Sequence, residues 1–180
     1  MEKEKINLVK AKVRNIPDFP IKGVQFKDLT TVFKDPESLS IMCDEVINLY
    51  KDKGITKVVG IEARGFIFGA ILAQGLGAGF VPLRKPGKLP AKTIKKTYTK
   101  EYGEDIIEIH EDAITPDDVV LLHDDLLATG GTMAAALDLV KSMKPKKVYI
   151  NFLCELINLK GRDTFPADVE VTSLFDFEGE

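Results

Sequence analysis

Cysteine and histidine are scarce in this chain of 180 residues, which contains two of each. Cys43 and Cys154 lie far apart, and neither the cysteines nor His110 and His123 fall into a metal-ligand pattern. Both cysteines are expected to be reduced, buried and inert, as in a cytosolic protein. No signal peptide and no apolar run long enough to span a bilayer is visible. These absences argue against a metal-centred site and a membrane partner, and they predict a cytoplasmic protein.

Basic charge is also limited, with 25 lysines and arginines against 28 aspartates and glutamates and a net charge of −3. A chain with this balance has no general attraction for nucleic acids or membrane surfaces, so neither is expected as a partner. The glycine-rich segment near residue 130 lacks the Gly-Lys-Ser/Thr ending of a Walker A loop and the Gly-x-Gly-x-x-Gly of dinucleotide-binding folds. Both of these phosphate-binding motifs are therefore excluded at this segment.

What is present is a strand, turn and helix pattern over residues 119–132. Val119–His123 is an apolar run with the length of a buried strand, and Asp124 and Asp125 stand at its end. The following turn reads Ala128-Thr129-Gly130-Gly131-Thr132 and leads into an alanine-rich helical pattern. Glycine N–H groups and the positive end of a helix bind anions, and carboxylates accept hydrogen bonds from sugar hydroxyls. Because ligands bind at the carboxyl ends of strands in α/β sheets, the pattern predicts a ribose 5-phosphate site.

Two more predicted strand ends carry groups that suit phosphate. Glu62-Ala63-Arg64-Gly65 follows the strand 57–61 and opens a helix, and Arg84-Lys85 follows the strand 79–83. An arginine fork is planar and permanently charged, which suits a phosphate group. An ordinary turn with a surface arginine is the alternative for the first of these segments. Together, the three strand ends describe a ligand with a 5-phosphate, a ribose and a second, more acidic phosphate group.

Residues 84–100 concentrate basic charge, with seven lysines and arginines and no acidic residue. Pro86, Gly87 and Pro90 disfavour regular structure in the first half of this segment. A solvated basic loop is one interpretation; contact with a polyanion at the active site is the other, and the acidic balance of the chain favours it. Because long irregular segments in compact domains often serve as active-site lids, residues 86–102 are predicted to form a mobile loop.

The order of elements predicts an α/β fold. Strands are predicted at 57–61, 79–83, 105–110, 119–123 and 147–153, and helices over 3–14, from 36, over 65–76 and over 132–143. This alternation favours a mostly parallel, twisted sheet with helices on both faces. Residues 1–35 stand outside the alternation and are predicted to form a small N-terminal cap. The cap belongs to one compact domain whose core is residues 36–180.

Several short motifs resemble those of the adenine phosphoribosyltransferase family and occur in that family's order. They are Pro17–Pro20, Gly23–Asp28, Glu62–Phe66, Arg84–Pro90, Glu101–Gly103, Asp124–Thr132 and Leu159–Arg162. The resemblance covers most of the chain from Pro17 to Thr132 and implies the type I phosphoribosyltransferase fold. The implied reaction joins adenine to phosphoribosyl pyrophosphate, giving AMP and pyrophosphate through an oxocarbenium-like transition state. It further implies a homodimer, to which Phe66-Ile67-Phe68 contributes.

The resemblance also implies how the phosphoribosyl pyrophosphate is held. Ala128, Thr129, Gly130, Gly131 and Thr132 would bind the 5-phosphate, and Asp124 and Asp125 would hold the ribose hydroxyls and stabilise positive charge on the ring. The pyrophosphate would be received by Ala63, Arg64, Gly65, Arg84, Lys85 and Lys88. The turn around Ala63 would contain a cis peptide between Glu62 and Ala63. Mg²⁺ is the implied cofactor, held mainly by substrate and water and by no protein ligand directly.

For the purine, the resemblance implies a site under the N-terminal cap. Adenine would lie near Phe26, with backbone groups of Gln25 and Lys27 on its edge and Leu156 as the opposite wall. Glu101, beside Tyr102 on the mobile loop, would act as the acid or base that handles a purine ring proton.

Alternatives remain open for the function and for one histidine. The same chemistry could use hypoxanthine, guanine or xanthine, or the fold could serve a non-enzymatic sensor of phosphoribosyl pyrophosphate that regulates transcription or RNA. The sensor is disfavoured because the cap is too short for a winged-helix domain and the net charge is −3. His123 stands where the family usually has an aliphatic residue. It is either a proton shuttle to Asp124 or the metal, or a strand histidine hydrogen-bonded to a neighbour, which is the preferred interpretation.

Overall fold

Five parallel strands form the central sheet of this chain. The computed structural model describes residues 3–19, 21–100 and 103–178. Its strands are β1 (Arg14–Pro17), β2 (Gln25–Asp28), β3 (Lys57–Ile61), β4 (Gly79–Leu83), β5 (Thr93–Lys100), β6 (Gly103–His110), β7 (Val119–Leu127), β8 (Lys147–Leu156) and β9 (Val171–Phe177). Its α-helices are α1 (Lys3–Ala11), α2 (Thr30–Phe33), α3 (Pro36–Tyr50), α4 (Gly65–Leu76) and α5 (Gly131–Ser142), and short 3₁₀ turns span Ile157–Leu159 and Gly161–Thr164. The spatial order β4-β3-β7-β8-β9 makes β7, which carries the aspartate pair, the middle strand.

Helices cover both faces of the sheet, which confirms the predicted α/β architecture. Val58 and Leu121 pack on one face with residues of α1, α3 and α4. Val59 and Leu122, one residue further along the same strands, pack on the other face with α5 and the β5–β6 hairpin. The switch follows from the two-residue repeat of a strand, and it explains why these strands read as continuous apolar runs. All four pairings in the sheet are parallel, as predicted.

The first 35 residues divide between the core and a separate hairpin. Helix α1 buries Ile6 and Val9 in the same apolar cluster as α3. Strands β1 and β2 pair antiparallel in a two-stranded sheet of their own. Across that sheet, Asp28 Oδ2 accepts hydrogen bonds from Arg14 Nε at 3.1 Å and Nη2 at 2.5 Å. The part of the predicted cap that stands apart from the main sheet is therefore the β1–β2 hairpin.

Strands β7 and β8 are longer than predicted, which changes where the aspartates lie. Strand β7 continues to Leu127, so Asp124 and Asp125 belong to the strand instead of following it. Strand β8 runs beside it to Leu156 and still pairs Glu155 with Leu127. Carboxylates usually mark the end of a buried strand, but here the ladder to β8 keeps the backbone extended.

Only part of the predicted loop 86–102 is irregular. Residues 93–100 form β5, which pairs along its length with β6. Like charges on β5 do not prevent this pairing, because Lys95 lies opposite Glu108 and the Tyr98 side chain packs against the core cluster that includes α5. The structure thus corrects the expectation of irregular chain after residue 92, while the mobility of the segment stays a prediction.

Both cysteines are free and buried, as predicted. Burial raises the pKa of the Cys43 thiol to about 11 and that of Cys154 to about 12, so neither forms the reactive thiolate near neutral pH. Within the ranges that the structure describes, no helix is long and apolar enough to cross a bilayer.

Candidate active site

Residues 128–132 line a pocket of about 100 Å³ at the carboxyl end of β7. All five residues predicted to hold the 5-phosphate lie in its wall, together with Asp124 and Phe152. Helix α5 begins at Gly131, and the first N–H groups of a helix have no partner within it. Those N–H groups and the positive end of the helix suit an anion in this pocket. The structure therefore brings together the predicted phosphate turn and one of the predicted ribose ligands.

The shape of this turn depends on Gly130. Its backbone is left-handed, with φ of 84°, a conformation that glycine adopts without a steric penalty. A Cβ at this position would lie 2.6 Å from the carbonyl oxygen of Gly161 and would also collide with Thr164 Oγ1. A Cβ at Gly131 would meet no atom within 4 Å in the described part of the chain. Gly130 is thus required both by conformation and by space, whereas Gly131 leaves the backbone open.

Asp124 and Asp125 are neighbours in different electrostatic surroundings. The buried carboxylate of Asp125 accepts a hydrogen bond from Arg64 Nε, 2.5 Å from Oδ2. Oδ1 of Asp124 accepts one from the backbone N–H of Asp125 at 2.9 Å. Burial raises the pKa of Asp124 well above its ordinary value, and the negative charge of Asp125 adds to the shift. The pair therefore contains one carboxylate neutralised by a cation and one that a cationic ligand would stabilise in its charged form.

The turn after β3 lies directly against the end of β7 because residue 65 is glycine. A Cβ at Gly65 would be 2.8 Å from the carbonyl oxygen of His123 and 3.1 Å from Asp124 Oδ1. The peptide between Glu62 and Ala63 is cis, as the family resemblance implies. Two of the three predicted anion-binding strand ends thus touch each other.

Arg64 lies between the groups predicted for ribose and for adenine. Its Nε binds Asp125, and its Cζ is 5.8 Å from the centre of the Phe26 ring, within the range of a cation–π contact. Because 44% of its side chain is exposed and only Nε binds Asp125, Arg64 keeps N–H donors that solvent can reach. Its contact with pyrophosphate stays a prediction. The contacts with Asp125 and Phe26 are ones that the sequence did not predict.

Arg84 and Lys85, also predicted to receive pyrophosphate, are bound to carboxylates of the protein. The Arg84 Nη2 and Nε atoms lie 2.8 and 3.2 Å from the two carboxylate oxygens of Glu62, and its Nη1 donates to the Lys88 carbonyl at 3.0 Å. The Arg84 hydrogen bond lowers the pKa of Glu62. Lys85 Nζ lies 2.8 Å from Asp105 Oδ2. Both cations are therefore neutralised within the protein, and Arg84 ties the start of the β3 turn to the end of β4.

The residues predicted to read adenine lie on β2. Gln25 Oε1 accepts a hydrogen bond from Asn15 Nδ2 at 2.7 Å, and Lys27 Nζ donates to Asn15 Oδ1 at 2.9 Å. The ring of Phe19 stands edge-on to Phe26, with 5.1 Å between the ring centres. Among the described strands β2 pairs with β1 alone, so part of its backbone faces away from the ladder. Both side chains are used inside the hairpin, which leaves backbone groups of β2 for a ligand.

The remaining predicted site residues lie in different parts of the chain, and two of them are outside the described residues. Leu156 ends β8 and is partly buried, and Lys88 is exposed in the irregular chain after β4. Glu101 and Tyr102 lie outside the described residues, so the structure has no bearing on the predicted acid or base.

An ion pair between buried Glu155 and partly exposed Arg162, close to the phosphate turn, was not predicted from the sequence. Glu155 is 6% exposed, and its two oxygens lie 2.8 and 2.7 Å from Arg162 Nε. The Leu159–Arg162 motif marks the arginine, and the usable signal for its partner is an acidic residue inside the apolar run of β8. An unpaired charge would be costly there, so the pattern indicates a cationic partner.

His123 is a buried strand histidine hydrogen-bonded to a neighbouring residue, the role preferred in the sequence analysis. It is fully buried, and its Nδ1 lies 2.9 Å from Asn151 Oδ1 on the neighbouring strand. Asn151 Nδ2 in turn donates to Thr172 Oγ1 at 2.9 Å. Burial lowers the pKa of His123 to about 4, so the ring is neutral near pH 7. The hydrogen bond to a neighbouring strand residue confirms the preferred interpretation.

Comparison with known proteins shows the family to which this chain belongs. The family described as the phosphoribosyl transferase domain matches residues 34–179. The adenine phosphoribosyltransferase of Bacteroides thetaiotaomicron is 61% identical over 97% of this chain and 97% of its own length. A crystal structure of the Rhodothermus marinus adenine phosphoribosyltransferase superposes with a TM-score of 0.92 at 46% identity, covering 98% of this chain and all of that one. The Trypanosoma brucei enzyme in complex with AMP, pyrophosphate and ribose-5-phosphate has a TM-score of 0.89 at 27% identity, covering 97% of this chain and 80% of that one.

The fold and the family match thus define a phosphoribosyltransferase, and the predicted phosphate turn and the aspartate pair lie together toward the carboxyl end of its middle strand. The 61% identity to an adenine phosphoribosyltransferase over 97% of this chain also shows which kind of phosphoribosyltransferase it is. The chain belongs to the adenine phosphoribosyltransferases, a class of pentosyltransferases.

Proposed function

We propose that the protein transfers the phosphoribosyl group of phosphoribosyl pyrophosphate to adenine, giving AMP and pyrophosphate for purine salvage. The residues that would do so lie at the carboxyl ends of β3, β4 and β7. The observation that carries the proposal is the meeting of three predicted groups: Asp124 of the aspartate pair lies in the wall of the phosphate pocket, and Arg64 links Asp125 to Phe26 of the hairpin. A relative with this activity in its name is 61% identical over nearly the full chain, which supports adenine over the other purines and over a sensor.

The phosphoribosyl group would be held by its phosphate and its hydroxyls. Ala128–Thr132 would surround the 5-phosphate with backbone N–H groups and threonine hydroxyls, at the start of α5. Asp124 and Asp125 would accept hydrogen bonds from the ribose hydroxyls. The bond from the ribose carbon to pyrophosphate breaks as the bond to the adenine nitrogen forms, and the ring passes through an oxocarbenium-like state.

The aspartate pair has the electrostatics that this charge movement needs. Arg64 is paired with Asp125, whereas burial and the charge of Asp125 hold the pKa of Asp124 well above its ordinary value although Arg64 opposes the shift. Positive charge developing on the ring would favour the ionised form of Asp124 and be stabilised by it. The stabilisation would therefore be greatest when the ring charge is greatest.

The pyrophosphate would leave past the turns after β3 and β4. Ala63, Arg64 and Gly65 would contact it at one turn, and Lys85 and Lys88 at the other. Arg84 would act mainly by holding Glu62, because its fork is already occupied. Glu101 would handle the adenine ring proton; this role rests on the family resemblance alone.

Mg²⁺ would be held by oxygens of the substrate and by water. Among the described residues no group of three His, Cys, Asp or Glu side chains could hold a metal ion, and Mg²⁺ commonly retains several waters beside substrate phosphates. When bound, the ion would neutralise charge on the leaving pyrophosphate. The hydroxyl-binding aspartates fit this arrangement because they fix the sugar oxygens.

A cap, a dimer and a cytoplasmic location complete the proposal. The β1–β2 hairpin is the part of residues 1–35 that fits a cover for the base. Of the stretch Phe66-Ile67-Phe68, Ile67 is 44% exposed and available to a homodimer contact, whereas Phe68 is fully buried in the core and cannot contribute. Free, buried cysteines suit a reducing compartment such as the cytoplasm.

Incubation of the pure protein with labelled adenine, phosphoribosyl pyrophosphate and Mg²⁺ tests the reaction. We expect AMP to form, with far lower turnover when hypoxanthine, guanine or xanthine replaces adenine. Preferred use of another purine would contradict the assignment of the base. Binding of phosphoribosyl pyrophosphate without turnover of any purine would instead favour the sensor.

A further inference from the structure

The phosphate turn rests on a second segment of backbone, residues 160–164. A Cβ at Gly161 would collide with the carbonyl oxygen of Ala128 and lie 2.8 Å from a methyl carbon of Leu127. A Cβ at Gly130 would collide with the same segment, at Gly161 and Thr164. The two pieces of chain are therefore in close contact, with backbone atoms of each and the side chains of Leu127 and Thr164 filling the space around the two glycines. Because the carbonyl oxygens of Ala128 and Gly161 border these glycines directly, a shift of Gly161 toward the turn would press on Ala128 and Gly130.

This supporting segment is itself fixed by Arg162. The guanidinium Nε lies 2.8 and 2.7 Å from the two oxygens of Glu155, Nη1 donates to the Val171 carbonyl at 2.7 Å, and Nη2 donates to Ser173 Oγ at 2.9 Å. Ser173 Oγ also donates to Glu155 Oε2 at 2.9 Å. One side chain thus ties residues 160–164 to the end of β8 and to β9.

The backbone of the segment indicates that it is held in place. Lys160, immediately before Gly161, is in the left-handed region with φ of 51°, which is uncommon for a residue with a side chain. Glu155 is buried but 41% of the Arg162 side chain is exposed, and a partly exposed ion pair contributes little to stability. Its contribution is better sought in geometry, since the planar arginine fork fixes direction as well as distance.

We propose that Arg162 is a positioning residue for the 5-phosphate of the substrate. Glu155 and Arg162 set the position of Gly161, and Gly161 sets the position of the turn 128–132. The inference rests on the proposed assignment of that turn to the 5-phosphate. It adds that phosphate affinity is controlled by a side chain that has no place in the pocket wall.

The variants Arg162→Lys and Gly161→Ala test the proposal from two directions. Lysine keeps the charge but cannot form the fork, and alanine keeps the ion pair but pushes on Ala128. The matched control is Lys141→Met, which removes an exposed ion pair with Asp168 at the last turn of α5, the end of the helix away from the phosphate turn. For each variant, KM is measured separately for phosphoribosyl pyrophosphate and for adenine. Binding affinity is also measured for AMP and for adenosine, two ligands that differ by the 5-phosphate alone.

We expect both test variants to raise the KM for phosphoribosyl pyrophosphate and weaken AMP binding by about tenfold or more, since small displacements of binding groups are costly. Adenine KM and adenosine affinity should change by less than about twofold, and the control should change none of the four. Equal losses for AMP and adenosine, or lower thermal stability with an unchanged AMP-to-adenosine ratio, would overturn the positioning role. A wild-type protein that binds AMP no better than adenosine would instead overturn the phosphate assignment itself.

Discussion

The ends of β7 and β4 both carry groups predicted to bind phosphate, but they present them in different ways. At β7 the groups are backbone N–H donors and hydroxyls that line an open pocket. At β4 they are the side chains of Arg84 and Lys85, which are paired with Glu62 and Asp105. A backbone donor held by its helix cannot turn to a protein carboxylate, whereas a long cationic side chain can.

This difference bears on how the two ends could act. The turn 128–132 is fixed on two sides, by α5 and by residues 160–164, so its geometry is set before the ligand arrives. The groups at β4 must exchange protein carboxylates for substrate oxygens if they are to contact pyrophosphate. The β7 end therefore suits recognition of the unreactive 5-phosphate, and the β4 end suits a group that moves during the reaction.

The largest effect is expected at the aspartate pair. Asp125→Asn should lower kcat by about 10²-fold or more, because it removes a carboxylate from the region where ring charge develops. Thermal unfolding should change far less, since the amide has nearly the same shape. The matched control, Asp168→Asn in an exposed pair with Lys141, should keep normal turnover. A fully active Asp125→Asn enzyme would remove the pair from the mechanism.

The segment after β4 is predicted to close over the substrates. Hydrogen exchange over residues 86–100 should slow when phosphoribosyl pyrophosphate, Mg²⁺ and an unreactive adenine analogue are bound. Glu101→Gln should lower kcat by about 10²-fold while AMP binding stays within a few-fold, because an acid or base acts on a proton and not on affinity. Unchanged exchange at saturation, together with a normal rate in this variant, would contradict both the lid and the role of Glu101.

The phosphate turn offers a comparison between two adjacent glycines. Gly130→Ala should raise the KM for phosphoribosyl pyrophosphate by about tenfold or more, because φ of 84° and the contact with Gly161 both exclude a Cβ. In Gly131→Ala the new Cβ has no atom within 4 Å in the described part of the chain, so the KM should rise clearly less. Equal KM values for the two variants would show that the turn is not held in the shape described.

Local patterns in the sequence predicted more of the fold than of the site. The bounds of β3, α4 and β4 follow from apolar period and flanking glycines, and the structure confirms them. The extra length of β7 depends on its neighbour β8, and the pairing of β5 depends on β6. Neither dependence is visible in a single segment.

Within the site, the types of group were predictable but their partners were not. The phosphate turn follows from adjacent residues, and the structure gathers all of it in one pocket wall. The pairs Arg64–Asp125 and Glu62–Arg84 join residues that are far apart in the chain. Their formation depends on the order β4-β3-β7, which sets the three strand ends side by side.

The smallest effect concerns the pH dependence of the β4 end. Arg84 lowers the pKa of Glu62, so their pair adds stability above the unfolded-state pKa of about 4.3 and loses it as the pH falls through the lower folded value. Arg84→Met should therefore unfold at lower urea concentration than the wild type at pH 7, with a difference that shrinks toward pH 3.

Comparing the two proteins at each pH cancels the effect of other carboxylates, such as Asp28 and Asp35, whose pKa values are about 2. Lys92→Met, which removes an exposed pair with Glu111, should match the wild type throughout. A difference that stays constant between pH 7 and pH 3 would show that Arg84 stabilises the turn through packing and not through its charge.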